Sequence, residues 1–520
     1  MRDFPSATIP SSWIWRRIQD IATTATGGTP SRSISEYFGG NIPWVKSGEL
    51  GDGHVFETEE SLSELGLNSS NAKLFPKGTL CIALYGATVG KLGILEMDAA
   101  TNQAVCGLFL PDEVHRDFVF HYLASIRRHL IEEGKGGAQS NISNGLVRQT
   151  WIPIAPLNEQ RRIVAKIEEL FSDLDAGVAA LKRAKANLKR YRAAVLKAAV
   201  EGKLTEEWRA KHPAKESAST LLARILQERR QKWEADQLAK FAAAGKEPPK
   251  NWREKYVEPT PPDLYNLPKI PTSWTWATLD ALADVVGGVT KDRKKANQPG
   301  MREVSYLRVA NVQRGYLDLS EIKTISASEE DITELRLEAG DVLFTEGGDR
   351  DKLGRGWVWT GELSECIHQN HIFRGRLKSQ DMQPRFVSYH SNTFGKEWFI
   401  KAGKQTTNLA SINLGVLRRF PVPIPPADEQ AVIISQVDET LSQIDVAETQ
   451  IEHGLLRAAR LRQSILKQAF EGKLVPQDPN DEPASVLLEQ IRAKQAIHEG
   501  NGKRPSSDTP HRSKPRGKKS

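Results

Sequence analysis

Cysteine is nearly missing from this 520-residue chain: Cys81, Cys106 and Cys366 are widely spaced and form no CxxC pair. That excludes a disulfide framework, and no ligand spacing for a structural zinc is present. Long apolar runs are missing too. No stretch approaches the roughly 18 apolar residues that a membrane span requires. The opening MRDFPSATIP carries no apolar leader core, so a cytoplasmic protein is expected. There is no GxxxxGK[ST] loop for nucleotide phosphates and no HExxH pair for zinc. The glycine-rich stretches GATVGKLG (86–93) and GGDRDKLGRG (347–356) lack the strand-glycine-helix spacing of a dinucleotide site. His368 and His371 flank Gln369 and Asn370 near Cys366, but the matching place earlier in the chain keeps only Asn102 and Gln103, so no metal site is expected there.

Charge of one sign is scarce over most of the length. The formal net charge is +7, but residues 501–520 alone hold seven lysines and arginines against the single acid Asp508. The rest is close to neutral, and the Pro/Ser/Lys-rich tail is expected to be disordered.

What the chain does have is repetition. IPSSWIWRRIQDIATTATGG, from Ile9, resembles IPTSWTWATLDALADVVGG, from Ile270. IPWVKSGEL (42–50) lines up with VSYLRVANV (304–312), both alternating as half-buried strands do. GTLCIALYGATVGKLG (78–93) matches GDVLFTEGGDRDKLG (340–354), and this alignment pairs Lys91 with Lys352. From Ile142 to Leu204 the chain aligns with Ile412 to Leu474 at a constant offset of 270 without a gap. Two similarly folded domains are implied.

Within that last block, IPIAPLNEQ and VPIPPADEQ read as connections ending at a helix start, with Asn158 and Asp428 as N-caps. Apolar residues then recur every seven positions. They are Ile167, Leu174, Leu181, Leu188 and Val195 in the first copy, and Val437, Ile444, Ile451 and Ile465, with Ala458, in the second. This is a heptad seam along which two helices of about 40 residues, on the order of 60 Å long, would pair. Each copy ends in Glu-Gly-Lys, at 201–203 and 471–473. That is half of a metal-nuclease signature, but it falls where the heptads stop, and a glycine there reads as a left-handed helix cap. Shorter amphipathic segments follow, ESASTLLARI (216–225) and EPASVLLEQI (482–491); only the first continues into a charged helical stretch and a Pro-rich linker. The expected fold is mixed α+β, with two similar α/β domains separated by two long antiparallel coiled-coil helices in a pseudo-two-fold repeat.

No catalytic constellation emerges; what recurs are polar loops suited to nucleic acid. In the first half they carry Arg32, Lys46, Lys91, Lys135, Gln139 and Asn141. In the second they carry Lys291, Arg293, Arg308, Arg350, Lys352, Arg355, Lys404, Gln405, Thr406 and Asn408. Lysine and arginine supply phosphate contacts, while Gln, Asn and Arg can read base edges.

Taken together, the IPxSW starts, the glycine loops and the duplicated PxxEQ-helix-EGKL block resemble the specificity subunits of type I restriction-modification systems, over nearly the whole chain apart from its tail. The resemblance implies target-recognition domains at 1–155 and 266–425, and spacer helices at 156–204 and 426–474. A helical insertion and linker fill 205–265, a short amphipathic helix 475–500 and the disordered tail 501–520. It further implies a non-catalytic subunit that reads a bipartite, asymmetric double-stranded DNA site, one domain per half, with the helices as a ruler. Two adenine-N6 methyltransferase subunits and two ATP-driven restriction and translocation subunits would be its partners. No cofactor is expected on this chain; S-adenosylmethionine, ATP and Mg²⁺ would belong to the partners. A stand-alone nuclease or methyltransferase and a protein-only coiled-coil scaffold are the rival readings.

Overall fold

The computed structural model describes residues 8–134, 141–290, 299–348, 352–405 and 410–501. The chain divides into two units, one made of residues 1–181 with 452–520, the other of residues 182–451. Each unit thus combines one α/β domain with one half of each long helix.

In the first unit a five-stranded sheet runs in the order Thr23–Thr26, Val105–Phe109, Leu80–Ala83, Leu92–Leu95, Gly53–Val55. Leu80 and Ile82 of its central strand face one apolar layer, with Phe118 and Tyr122 of the helix Arg116–Ser125. Cys81 and Ala83 face a second layer with Phe75 and Val105. A strand covered on both sides has no need of polar alternation, which is why LCIAL reads as a continuous apolar run. Burial pushes the Cys106 thiol up to about 12 and Cys81 higher still, so neither is a nucleophile. A four-stranded sheet, in the order Glu60–Leu62, Phe38–Val45, Ala99–Thr101, Leu74–Phe75, lies beside it in the chain's path.

The second unit repeats the plan. Ala283–Gly287, Ile372–Leu377 and Val342–Thr345 form one sheet, and Lys323–Ser328, Met301–Leu307 and Ile367–His368 another. In each unit a two-stranded ribbon ties the IPxSW segment to the strand before a long helix: Ile14 opposite Ile154 in the first, Thr275 opposite Ile424 in the second.

The long helices are Leu157–Val200 and Ala427–Phe470, 44 residues each. Asn158 and Asp428 therefore sit inside the first turn and are not N-caps, a correction to the reading of the sequence. The end is closed instead by the next residues of the motif. Gln160 donates to the Ala155 carbonyl at 2.7 Å and accepts from the His115 amide at 2.9 Å. Gln430 does the same with Pro425 and Gln383, both at 2.9 Å. The preceding glutamate holds the tryptophan of IPxSW: Trp13 Nε1 donates to Glu159 and Trp274 Nε1 to Glu429, each at 2.9 Å. PxxEQ is thus a buried staple that fixes a domain to a helix start.

EGK completes the same staple. Gly202 and Gly472 take φ of +74° and +69°, one step past the helix end region, and Lys203 N reaches back to the Ala198 carbonyl at 2.9 Å. A side chain at either glycine would collide with a proline: its Cβ would lie 2.4 Å from Pro271 Cγ at Gly202 and 2.3 Å from Pro10 Cγ at Gly472. So Pro10 and Trp13 rest on the end of the second long helix, while Pro271 and Trp274 rest on the end of the first.

In the first unit Ile163 and Ile167 share a core with Leu466, Ala469 and Phe470, and Phe118 meets Phe470 edge-on at 5.2 Å. In the second, Val195 and Ala199 share one with Ile433 and Val437. Ile444 and Ile451 are buried as well, whereas Leu174, Leu181, Leu188 and Ile465 are half-buried, as expected for a seam only two helices wide. Ala484, Leu487, Leu488 and Ile491 close the core of the first unit, and Ala218, Leu221 and Ile225 that of the second. No helix among the described residues is long and apolar enough to cross a membrane.

Candidate nucleic-acid interface

Strand directions bring the polar loops of each unit together. In the first unit Thr23–Thr26 and Leu80–Ala83 both run antiparallel to Val105–Phe109, and Phe38–Val45 runs parallel to Ala99–Thr101. The loops at 27–32, 46–49, 84–91 and 102–104 consequently leave at the same sheet ends. Asn141 joins them through a bridge to Tyr85. In the second unit the same pairings gather 288–290, 308–311, 346–348 with 352–355, and 369–371.

The correspondence extends to single hydrogen bonds. Gly28 N donates to Thr101 O at 2.9 Å, as Val289 N does to His368 O at 2.8 Å. Asn102 N donates to Val45 O at 2.9 Å, and Gln369 N to Leu307 O at 3.0 Å. The glycine before each loop is obligatory, because a Cβ on Gly27 would lie 2.0 Å from the Thr101 carbonyl oxygen and one on Gly288 2.0 Å from that of His368. Gly90 N bonds to Ala83 O at 2.8 Å and Gly354 N to Thr345 O at 3.0 Å. This register makes Arg355, not Lys352, the counterpart of Lys91, a second correction; the loop of the second unit is two residues longer, which a gapless match of GKLG hides.

Lys46 and Arg308 stand at matching strand ends. Each has its backbone amide held by the side chain three residues on, Glu49 at 2.6 Å and Asn311 at 2.8 Å. Lys46 Nζ lies 2.7 Å from Glu59 and 3.1 Å from Glu60, and these carboxylates raise its pKa. Arg308 pairs with Glu321 at 3.1 Å and lowers that carboxyl below its usual range. Arg32 lies over the rings of Phe38 and Trp44 at 4.7 and 5.0 Å and pairs with Glu60, whose pKa it holds down. These cations are preset against carboxylates, so phosphate must compete for them. Arg355 donates to the Val309 carbonyl at 3.1 Å, and the Lys352 carbonyl accepts from the Thr345 hydroxyl. Lys91 is half-buried and Asn141 exposed. Lys404 and Gln405 form a short strand opposite Ser411 and Ala410. Lys135, Gln139, Lys291, Arg293, Arg350, Thr406 and Asn408 lie outside the described residues.

His368 is not a ligand in waiting: it is fully buried, its Nδ1 donates to the Ile372 carbonyl at 2.9 Å, and burial lowers its pKa to about 4. No cluster of metal-ligating residues occurs among the described residues.

Residues 10–184 match a family profile described as the type I restriction modification DNA specificity domain. The specificity subunit of the type I restriction enzyme EcoKI from Escherichia coli K12 is 25% identical over 515 residues, which span 95% of this chain and 97% of that one. The StySPI specificity subunit of Salmonella potsdam is 24% identical, with 95% and 97% covered. The fold agrees: a chain from a solved type I R-M system, described in terms of complex assembly and conformational transition, superposes with a TM-score of 0.60 at 17% identity, over 90% of this chain and 100% of that one.

In sequence and fold the chain is similar to the type I restriction-modification specificity subunits.

Thr29, Asn71, Lys73 and Gln103, none of them among the nucleic-acid candidates read from the sequence, line a polar recess beside the first glycine pair. His371, weighed in the sequence only as a metal ligand, pairs with Glu346 at 2.5 Å at the corresponding end of the second unit. The available signal was the amide doublet, Asn102-Gln103 in one half and Gln369-Asn370 in the other.

Proposed function

We propose that each unit reads one half of a bipartite, asymmetric DNA site through the loops gathered at its sheet ends. The observation that carries this is a shared backbone frame bearing different side chains: Lys46 against Arg308, Gln103 against Asn370, Lys91 against Arg355. A repeated frame suits a repeated task, and unlike side chains suit unlike sequences. The two long helices, each about 66 Å at 1.5 Å per residue, serve as the ruler that sets the gap between the halves. Two methyltransferase subunits modifying adenine N6 and two ATP-driven restriction and translocation subunits assemble on the chain, and those partners bind S-adenosylmethionine, ATP and Mg²⁺. The duplicated staples offer similar surfaces to two copies of one partner.

The test is a map of N6-methyladenine in the host genome with and without the gene. Loss of methylation at one gapped, two-part motif is the expected result. An unchanged map, with the chain and its methyltransferase expressed, overturns the reading in favour of a protein-only scaffold or a stand-alone enzyme.

A further inference from the structure

We infer that the side-chain amides of Gln103 and Asn370 are base-reading groups, one for each half-site; the inference rests on the DNA-reading role proposed above. Both occupy the second position of the same tight turn. The Asn102 carbonyl accepts from Val105 N at 3.1 Å, and the Gln369 carbonyl accepts from Ile372 N at 2.8 Å. The first residue of each turn is tied back to a strand through the Val45 or Leu307 carbonyl, as described above. These turns are therefore fixed by ladder geometry, in contrast to a surface loop held only at its ends.

The neighbours in the turn are already committed. Asn102 uses its side chain to accept from Ala104 N at 3.1 Å, and Thr101 and His368 are buried. Gln103 alone is exposed, between buried Thr101 and Ala104 on either side of Asn102. The Thr29 hydroxyl donates to Gln103 Oε1, which orients the amide and leaves its two N–H groups pointing away. Asn370 has its backbone amide on the Val289 carbonyl at 2.9 Å, and among the described residues its side-chain amide has no hydrogen-bond partner. A primary amide offers a donor and an acceptor in one plane, the pattern that pairs bidentately with N6 and N7 of adenine in the major groove. The cations Lys46 and Arg308 directly follow Val45 and Leu307 in the chain, so a phosphate contact and a base contact sit on adjacent strand ends.

The test uses the full chain with its partner subunits in a host whose N6-methyladenine motif is read by sequencing. Gln103→Ala should relax one base position in one half of the motif, by on the order of tenfold to a hundredfold in preference, and Asn370→Ala one position in the other half only. Gln103→Glu keeps the acceptor for Thr29 and loses the donors, so it should move preference at that position from adenine toward cytosine. Motifs unchanged in both halves overturn the assignment. Loss of both halves in Gln103→Ala, with Gln103→Glu leaving the motif intact, marks a folding role and also overturns it. A wild-type chain that directs no motif at all removes the DNA-reading role itself, and the assignment with it.

Discussion

Arg462 of the second long helix is ion-paired with Asp175 of the first, and 270 residues away in sequence terms the same pair recurs with its helices exchanged, Arg192 with Asp445. Arg462 also lies over the Phe171 ring at 4.2 Å, while Arg192 adds Glu448 at 3.3 Å. Because 175 and 192 rise as their partners 462 and 445 fall, the pairs specify an antiparallel register that the apolar heptads alone leave open. Each pair is largely exposed and contributes roughly 0.2–1 kcal/mol. Arg462→Glu should destabilise the first unit, and Asp175→Arg added to it should restore most of the loss. A double-mutant cycle by thermal unfolding checks this; a zero coupling energy would rule the register role out.

The buried glutamates should differ in cost. Glu159→Ala strands the Trp13 indole N–H, an expense of about 1–3 kcal/mol. Glu429 also accepts from Thr205 at 2.7 Å and Arg209 at 2.9 Å. Glu429→Ala should therefore cost more, about 3–5 kcal/mol, since it leaves a partly buried guanidinium unpaired. Denaturant midpoints of the two variants decide the order.

Two glycines should respond with opposite signs. Gly202→Ala forces a left-handed residue against Pro271 and should destabilise by well over about 1 kcal/mol. Gly177 lies within the first long helix with open space around its Cβ position. Gly177→Ala should stabilise by up to about 1 kcal/mol. Melting temperatures moving the same way would contradict the cap geometry.

Acid should destabilise both units through buried histidines. Burial lowers His390 to about 3 and His368 to about 4 in the second unit, and His121 to about 4 in the first. Unfolded histidine binds a proton near pH 6.5 while the folded groups stay neutral, so their contribution is full above that pH. It is lost as pH falls toward 4, by about 1.4 kcal/mol per pH unit for each proton taken up on unfolding. Glu159 carries the opposite sign: burial raises its pKa above 4.5, so its folded form is favoured by acid and loses stability as pH rises through the raised value. His390→Asn should flatten the loss between pH 6.5 and 5 seen by urea unfolding, and Glu159→Gln should steepen the loss as pH falls toward 4.5.

If Lys46 contacts phosphate, Lys46→Ala should weaken binding to all DNA sequences alike and reduce the slope of log affinity against log salt by about 0.9. Glu59→Gln, which removes one of that lysine's two carboxylate partners and leaves Glu60, should strengthen binding. Titrations at several salt concentrations distinguish this from a purely internal ion pair, for which neither variant alters the slope.

The repeat, the long helices and their glycine caps were legible in the sequence because each leaves a periodic or glycine-specific mark. The roles of Glu159 and Gln160 were not. Hydrogen bonds to Trp13 and His115 join residues more than 40 positions apart, and no local pattern announces them. Among the loops, Lys46 and Arg308 stand out in the sequence because they end alternating strands. Gln103, proposed above to read a base, leaves no such mark, being the exposed member of a buried turn, and Lys352 pairs with Lys91 in the sequence because an inserted residue pair is invisible to a motif match.

Leu466, Phe470 and Leu487 cover Phe118 and Tyr122, so the first domain receives part of its core from residues made only after the whole of the second. The second domain finds Leu221 and Ile225 already synthesised. Translation order is therefore not folding order here. A premature stop shortly after residue 474 removes nothing from the second domain and uncovers the first, so a nonsense mutation downstream of one domain injures the other.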